Sequence, residues 1–189
     1  VIDMKAEQAV IIVPEGTSGT TRGKGIADKK LLGLTLVHRT ILAAAQAGVR
    51  EFILAGRDPA GIEKLVSVLG ADKRIQNRAL RLDAASPSEL SQPGSSERIR
   101  KRFWLIPAEA VFDPEILVRA SQRDPGGPTA LHLVDAKAGA PGDGVARLAG
   151  GADGRDAGRF TDRAEEAQAV YTGLSLCPAG ILSRLGEAF

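Results

Sequence analysis

Residues 9–13, AVIIV, form a continuous apolar run rich in β-branched side chains, the pattern of a strand buried on both faces. A second such run, VREFILAG, occupies residues 49–56. Between them Leu36, Val37, Ile41, Ala44 and Ala45 recur at helical spacing, with Thr35 placed to cap the N-terminus and Gly48 to end the segment. The spacing predicts a helix over residues 35–47. Two buried strands joined through one helix leave few arrangements: the strands lie parallel and the connection crosses over right-handedly. A chain that opens this way is committed to an α/β architecture whose sheet is covered on its faces.

The same reading continues along the chain. Pro59 stands near the start of a predicted helix over 59–69, in which Ile62, Leu65, Val66 and Leu69 share a face that ends before Gly70. RALRLDA, residues 78–84, reads as a third strand, and FWLIPA, residues 103–108, as a fourth and buried one, with Trp104 in the core. The polar stretch 86–102 between them is a surface connection with room for a short helix. Asp113 followed by Pro114 marks a helix start over 113–121. In the last third, TALHLVDA and GVARLAGG flank KAGAPGD as in a β-hairpin, and residues 150–160 are too rich in glycine and aspartate for regular structure. Residues 169–177 predict a last strand and PAGILSRLGEAF a last helix.

Length and composition set the outer limits. A chain of 189 residues suits one α/β domain with a sizeable core, so a single domain over 1–189 is the expectation. With 25 basic and 23 acidic residues, the charge is too balanced to indicate a nucleic-acid partner, and a basic site must be local. The basic run RIRKR at 98–102 is most simply a solvated segment. Cys177 is the sole cysteine, which leaves no internal disulfide and no cysteine zinc site and points to a reducing compartment. No apolar run approaches the ~20 residues needed to span a bilayer, and residues 1–15 lack the order of a signal peptide. The expectation is a soluble cytoplasmic chain. Because it begins at Val1, it is also read as a piece that can precede a membrane domain in a longer protein.

The segment most open to chemistry is IIVPEGTSGTTRGKG, residues 11–25, and its continuation to Lys30. Glycines at 16, 19, 23 and 25 allow close backbone approach, and Arg22, Lys24, Lys29 and Lys30 can neutralise a polyphosphate. The spacing matches neither a P-loop nor a dinucleotide fingerprint, so a phosphate loop and a plain connection both stand open. Elsewhere the plainer reading has the advantage. His38 and His132 have no partner at ligand spacing, Cys177 reads as a small buried hydrophobe, and no nucleophilic triad is evident. Asp113 reads as a helix cap. Glu109 follows a buried strand end, where open α/β sheets place ligands, and site and surface readings are both open for it.

GTSGTTRGKGIADKKLLGLTLVHRTILAAAQAGVREFILAG resembles the opening of the MobA-like and sugar-phosphate nucleotidyltransferases. Their pattern is a strand, a Gly-x-Gly-Thr-Arg type loop, a lysine, and then Leu-x-x-x-Gly-x-x-Leu leading into a helix. Gly33, Leu36, Arg39 and Ile41 fall on that pattern. The chain is most similar to the cytidylyltransferases that activate inositol phosphate, which are often fused to a membrane CDP-alcohol phosphatidyltransferase domain. FWLIPAEAVFDPEIL and VYTGLSLCPAGIL are similar to later segments of the family. The resemblance implies a three-layer, Rossmann-like nucleotidyltransferase fold with a mostly parallel mixed sheet. It places Gly16, Thr17, Gly19, Thr20 and Lys29 against the nucleotide, gives Arg22 and Lys30 catalytic contacts to its phosphates, and sets Glu109 in the position of a metal-binding aspartate. The implied cofactor is Mg²⁺, and the implied partners are a nucleoside triphosphate and a small phosphorylated alcohol. A fused or partner lipid-synthase domain would hold the chain at the inner face of the membrane.

Two departures from the family pattern carry a second reading. Pro14 and Glu15 stand where the family has small residues, and a carboxylate beside a triphosphate is electrostatically unfavourable. EEAQAVYTG offers Glu165 and Glu166 but no aspartate beside Tyr171 for a second metal contact. The alternative is a catalytically silent descendant acting as a regulatory or assembly domain of a membrane lipid synthase. A glycosyltransferase of similar architecture is weaker, because an Asp-x-Asp motif is absent.

Overall fold

The computed structural model describes residues 6–14, 29–92, 98–99, 102–122, 130–135, 147–149, 159–161 and 169–182. Within them the chain runs β1 (Gln8–Ile12), β2 (Lys30–Leu31), β3 (Leu34–Thr35), α1 (Leu36–Gln46), β4 (Glu51–Ala55), α2 (Pro59–Gly70), α3 (Lys73–Gln76) and β5 (Arg81–Ala85). It continues with α4 (Pro87–Ser91), β6 (Arg102–Pro107), α5 (Pro114–Gln122), β7 (Ala130–Asp135), β8 (Arg147–Ala149), β9 (Arg159–Thr161) and β10 (Ala169–Pro178), followed by a 3₁₀ turn over Ala179–Ile181.

The chain divides into two compact units, residues 1–130 with 176–189, and residues 131–175. In the larger unit β5, β4, β1 and β6 lie side by side in that order, all parallel. Val10 pairs with Ile53 on one side and Leu105 on the other. These central strands are apolar on both faces because helical connections cover both. One face packs Val10, Ile53, Ala55, Ala85 and Phe103 with Leu90, Ile99, Cys177 and Leu182. The alternate residues Ile11, Leu54, Trp104 and Ile106 point to the other face and are equally buried. Each large apolar side chain so enclosed contributes roughly 1.5–3 kcal/mol.

Local chemistry accounts for the helix limits. Thr35 caps α1 by accepting from the His38 amide at 3.4 Å. Asp58 caps α2, accepting from the Gly61 amide at 3.1 Å with Pro59 in the first turn. Ser86 and Glu89 form a capping box at α4, and the Ser86 amide and hydroxyl hold the Glu89 carboxyl below its ordinary range. Asp113 accepts from the Glu115 amide at 2.9 Å, in keeping with its reading as a helix start. Gly56 is required by close packing: a Cβ there would lie 2.9 Å from Ile62 Cδ1 and 3.0 Å from the Val13 carbonyl.

In the smaller unit β8 runs antiparallel to the start of β10, pairing Leu148 with Ala169, and β9 runs antiparallel to β8. This corrects the expected hairpin of β7 with β8. β7 pairs with β10 instead, because a long strand distant in sequence supplies more ladder than the neighbouring run. Residues 159 and 160, the end of the stretch 150–160 expected to be irregular, lie in β9, for which β8 offers a register, Leu148 opposite Phe160, that local composition does not show. The third strand starts at Arg81 rather than 78, since residues 77–79 complete a turn after α3 in which Ala79 adopts φ 51°. At the C-terminal end the expected helix begins as a 3₁₀ turn, and residues 183–189 lie outside the described residues.

Candidate functional site

Parallel strands of one sheet bring their carboxyl ends to a single edge, and there the connections part to leave room for ligands. Pairing persists one residue beyond β1 and β6: the Val13 amide donates to the Ala55 carbonyl and the Ala108 amide to the Ile12 carbonyl, both at 2.8 Å. The chain segments leaving β1, β4 and β6 therefore start level with one another.

After β6 the chain turns through Pro107–Ala110, closed by the Ala110 amide donating to the Pro107 carbonyl at 3.1 Å. Glu109 occupies the third position of this turn. Its Oε2 is buried and, among the described residues, has no hydrogen-bond partner. The turn is fastened to α1 by Thr40, which is fully buried. Thr40 Oγ1 lies 2.7 Å from the Ala110 carbonyl, 3.0 Å from the Ala108 carbonyl and 3.1 Å from the Leu36 carbonyl of its own helix. A hydroxyl has one proton to donate, so these oxygens share it, with the shortest contact to Ala110.

The other arm of the site is a short hairpin not foreseen from sequence. β2 and β3 pair antiparallel, Lys30 opposite Thr35 and Leu31 opposite Leu34. Its two-residue turn takes positive φ at both positions, 51° at Leu32 and 81° at Gly33, as primed hairpin turns require. The first turns of α1 hold this hairpin as well. The Leu36 amide donates to the Lys29 carbonyl at 3.0 Å, and Arg39 Nη1 donates to the Leu31 carbonyl at 3.1 Å. Lys29 and Lys30 are exposed. Below them the Thr35 hydroxyl meets His38 Nδ1 at 2.9 Å, and His38 Nε2 faces Asp72 Oδ2 at 3.6 Å. Burial lowers the His38 pKa, Asp72 raises it and Arg74 lowers it further. His38 thus links the α1 cap to Asp72.

Residues 36–40 of α1 therefore carry both a cationic arm, with Lys29 and Lys30, and an acidic arm, with Glu109. Gly16, Thr17, Gly19, Thr20 and Arg22 lie outside the described residues. Arg39 and Thr40 are the contributors that motif reading assigned no role. Thr40 had a signal, a polar residue on the face shared by Val37, Ile41 and Ala44. The described residues contain no group of three His, Cys, Asp or Glu side chains able to hold a metal ion. Mg²⁺ in phosphate sites commonly rests on one or two carboxylates plus phosphate oxygens and water. Glu109 Oε2, without a partner among the described residues, fits such a single hard donor.

Two other features stand apart from this edge. A cavity of about 290 Å³ opens at the amino ends of β1, β4 and β5. Gln8 donates to Glu51 there, Arg81 pairs with Asp83 at 3.1 Å, and Arg98 also lines the cavity. Cys177 is buried, and desolvation pushes its thiol up to about 11, consistent with packing rather than reactivity.

No protein-family model matches the sequence, and no curated protein matches it by sequence. Solved structures do match in fold. The inositol-1-phosphate CTP transferase from T. maritima superposes with a TM-score of 0.65 at 15% identity, over 98% of this chain and 75% of that one. CMP:2-keto-3-deoxy-manno-octonic acid synthetase complexed with CTP matches with a TM-score of 0.61 at 16% identity, over 96% of this chain and 78% of that one. UDP-glucose pyrophosphorylase complexed with UDP-glucose gives 0.61 at 13% identity, over 95% and 79%. The chain has the three-layer α/β fold with a mostly parallel mixed sheet that these nucleotidyltransferases share. At such identities the likeness is one of fold.

Proposed function

We propose that the chain transfers a nucleotidyl group, CMP by preference, from a nucleoside triphosphate to a small phosphorylated alcohol such as inositol phosphate. The observation that carries this reading is the pairing on α1 of exposed Lys29 and Lys30 with a buried Glu109 oxygen that has no hydrogen-bond partner among the described residues, at the carboxyl edge of a nucleotidyltransferase-like sheet. Cytidine and the inositol-type acceptor come from the sequence resemblance and from the likeness to the T. maritima transferase.

In this reaction an acceptor phosphate oxygen attacks the α-phosphorus, the bond from that phosphorus to the bridging oxygen breaks, and pyrophosphate leaves. A phosphate monoester is already a nucleophile, so the protein's work is positioning and charge neutralisation. Lys30 and Arg22 would balance charge moving onto pyrophosphate, and Lys29 would hold the triphosphate. Gly16, Thr17, Gly19 and Thr20 would let backbone amides approach the nucleotide. Glu109 would hold Mg²⁺, whose role is to polarise phosphate oxygens. The product suits a lipid-synthase partner at a membrane. Among the described residues no helix is long and apolar enough to cross one.

Arg22→Ala or Lys30→Ala is expected to lower pyrophosphate release in an NTP and inositol-phosphate assay by roughly 10²–10³-fold. Unchanged turnover in both variants would sink this assignment. The second reading, a silent regulatory or assembly domain, is favoured by the single carboxylate at the metal position and by Glu15 beside the candidate loop. It predicts no turnover in wild type and partner binding untouched by either substitution.

A further inference from the structure

We infer that Thr40 is the positioning residue for Glu109, and that α1 sets the spacing between the acidic and cationic arms of the site. The inference rests on the transferase reading for Glu109 but adds a residue that the reading does not contain. Glu109 sits in a tight turn with Ala108 on one side and Ala110 on the other, and the carbonyls of both neighbours converge on one hydroxyl, at 3.0 and 2.7 Å. The hydroxyl is fully buried and belongs to the middle of a helix. Its third contact, to the Leu36 carbonyl of its own helix at 3.1 Å, is longer than either contact to the turn.

The same helix holds the hairpin of Lys29 and Lys30 through the Leu36 amide and Arg39. A rigid element that fastens both arms fixes where a metal-bound triphosphate would lie between them. Loss of the Thr40 hydroxyl leaves the Ala108 and Ala110 carbonyls buried without their shared donor, and the turn is free to rotate Glu109 away. Residues that orient a ligand from behind commonly govern metal affinity by one to two orders of magnitude.

The test is calorimetry of CTP binding, with and without Mg²⁺, on the whole chain as wild type, Glu109→Gln, Thr40→Val and Thr40→Ser. Valine keeps the volume and removes the hydroxyl, and serine restores it. The expected result is that Glu109→Gln abolishes the Mg²⁺-dependent gain in affinity and Thr40→Val weakens Mg²⁺ binding about tenfold. Metal-free CTP binding should stay at the wild-type level in Thr40→Val, and Thr40→Ser should restore the gain. A full Mg²⁺ gain in Thr40→Val overturns the inference, as does a parallel loss of metal-free binding, which would mean a merely structural role. If Glu109→Gln keeps the gain, the metal reading of Glu109 fails and the inference falls with it.

Discussion

Leu32 breaks two ordinary rules at once. It is 88% exposed, and its φ of 51° is one that a Cβ atom disfavours. The left-handed region costs a residue other than glycine about 1–2 kcal/mol, while glycine costs ~0.5–1 kcal/mol in chain entropy. Leu32→Gly should therefore stabilise the fold by roughly 0.5–1 kcal/mol, read as a higher urea midpoint at unchanged slope. A lower midpoint would mean that the leucine makes contacts outweighing the strain. His38 gives a second expectation at this scale. Burial depresses its folded pKa below the ordinary 6.5, so the unfolded chain binds more protons as pH falls through that value. The sign follows: stability is full above pH 6.5 and declines as pH drops toward the folded pKa. Urea midpoints at pH 7.5 and 5.5 should differ more in wild type than in His38→Asn, and equal differences would deny His38 this role.

At the level of elements, the sequence was most legible where order is local. The helix over 36–46 was readable because Thr35 caps it and Val37, Ile41, Ala44 and Ala45 make its buried face. Asp58 with Pro59, and Asp113 with Pro114, likewise announce α2 and α5 through short-range hydrogen bonds. Pairing between distant strands left no such mark. β7 and β8 look like partners because they are neighbours in sequence, yet both meet β10, and β9 is too short for a periodic pattern. The β2–β3 hairpin was hidden for a further reason. Leu32 is not a residue that hairpin turns favour, and only Gly33 hinted at positive φ. For the candidate site, the family resemblance named Lys29, Lys30 and Glu109. Their common support was not, because the contacts of Thr40 with Ala108 and Ala110 span 68 and 70 residues.

For the whole molecule, the parallel order β5, β4, β1, β6 sets where a site can form. It gathers the ends of β1, β4 and β6 at one edge, and α1 holds the Lys29–Lys30 hairpin and the Glu109 turn there together. Structures named for CTP, CMP and UDP-glucose chemistry share this architecture. The central claim is that this edge binds a nucleoside triphosphate. Its most direct test is calorimetry of the purified chain with CTP, ATP, GTP and UTP, each with and without Mg²⁺. The account predicts selective binding of one nucleotide, CTP foremost, strengthened by Mg²⁺. Absence of binding for all four at millimolar concentration would contradict it and leave the silent-domain reading in its place.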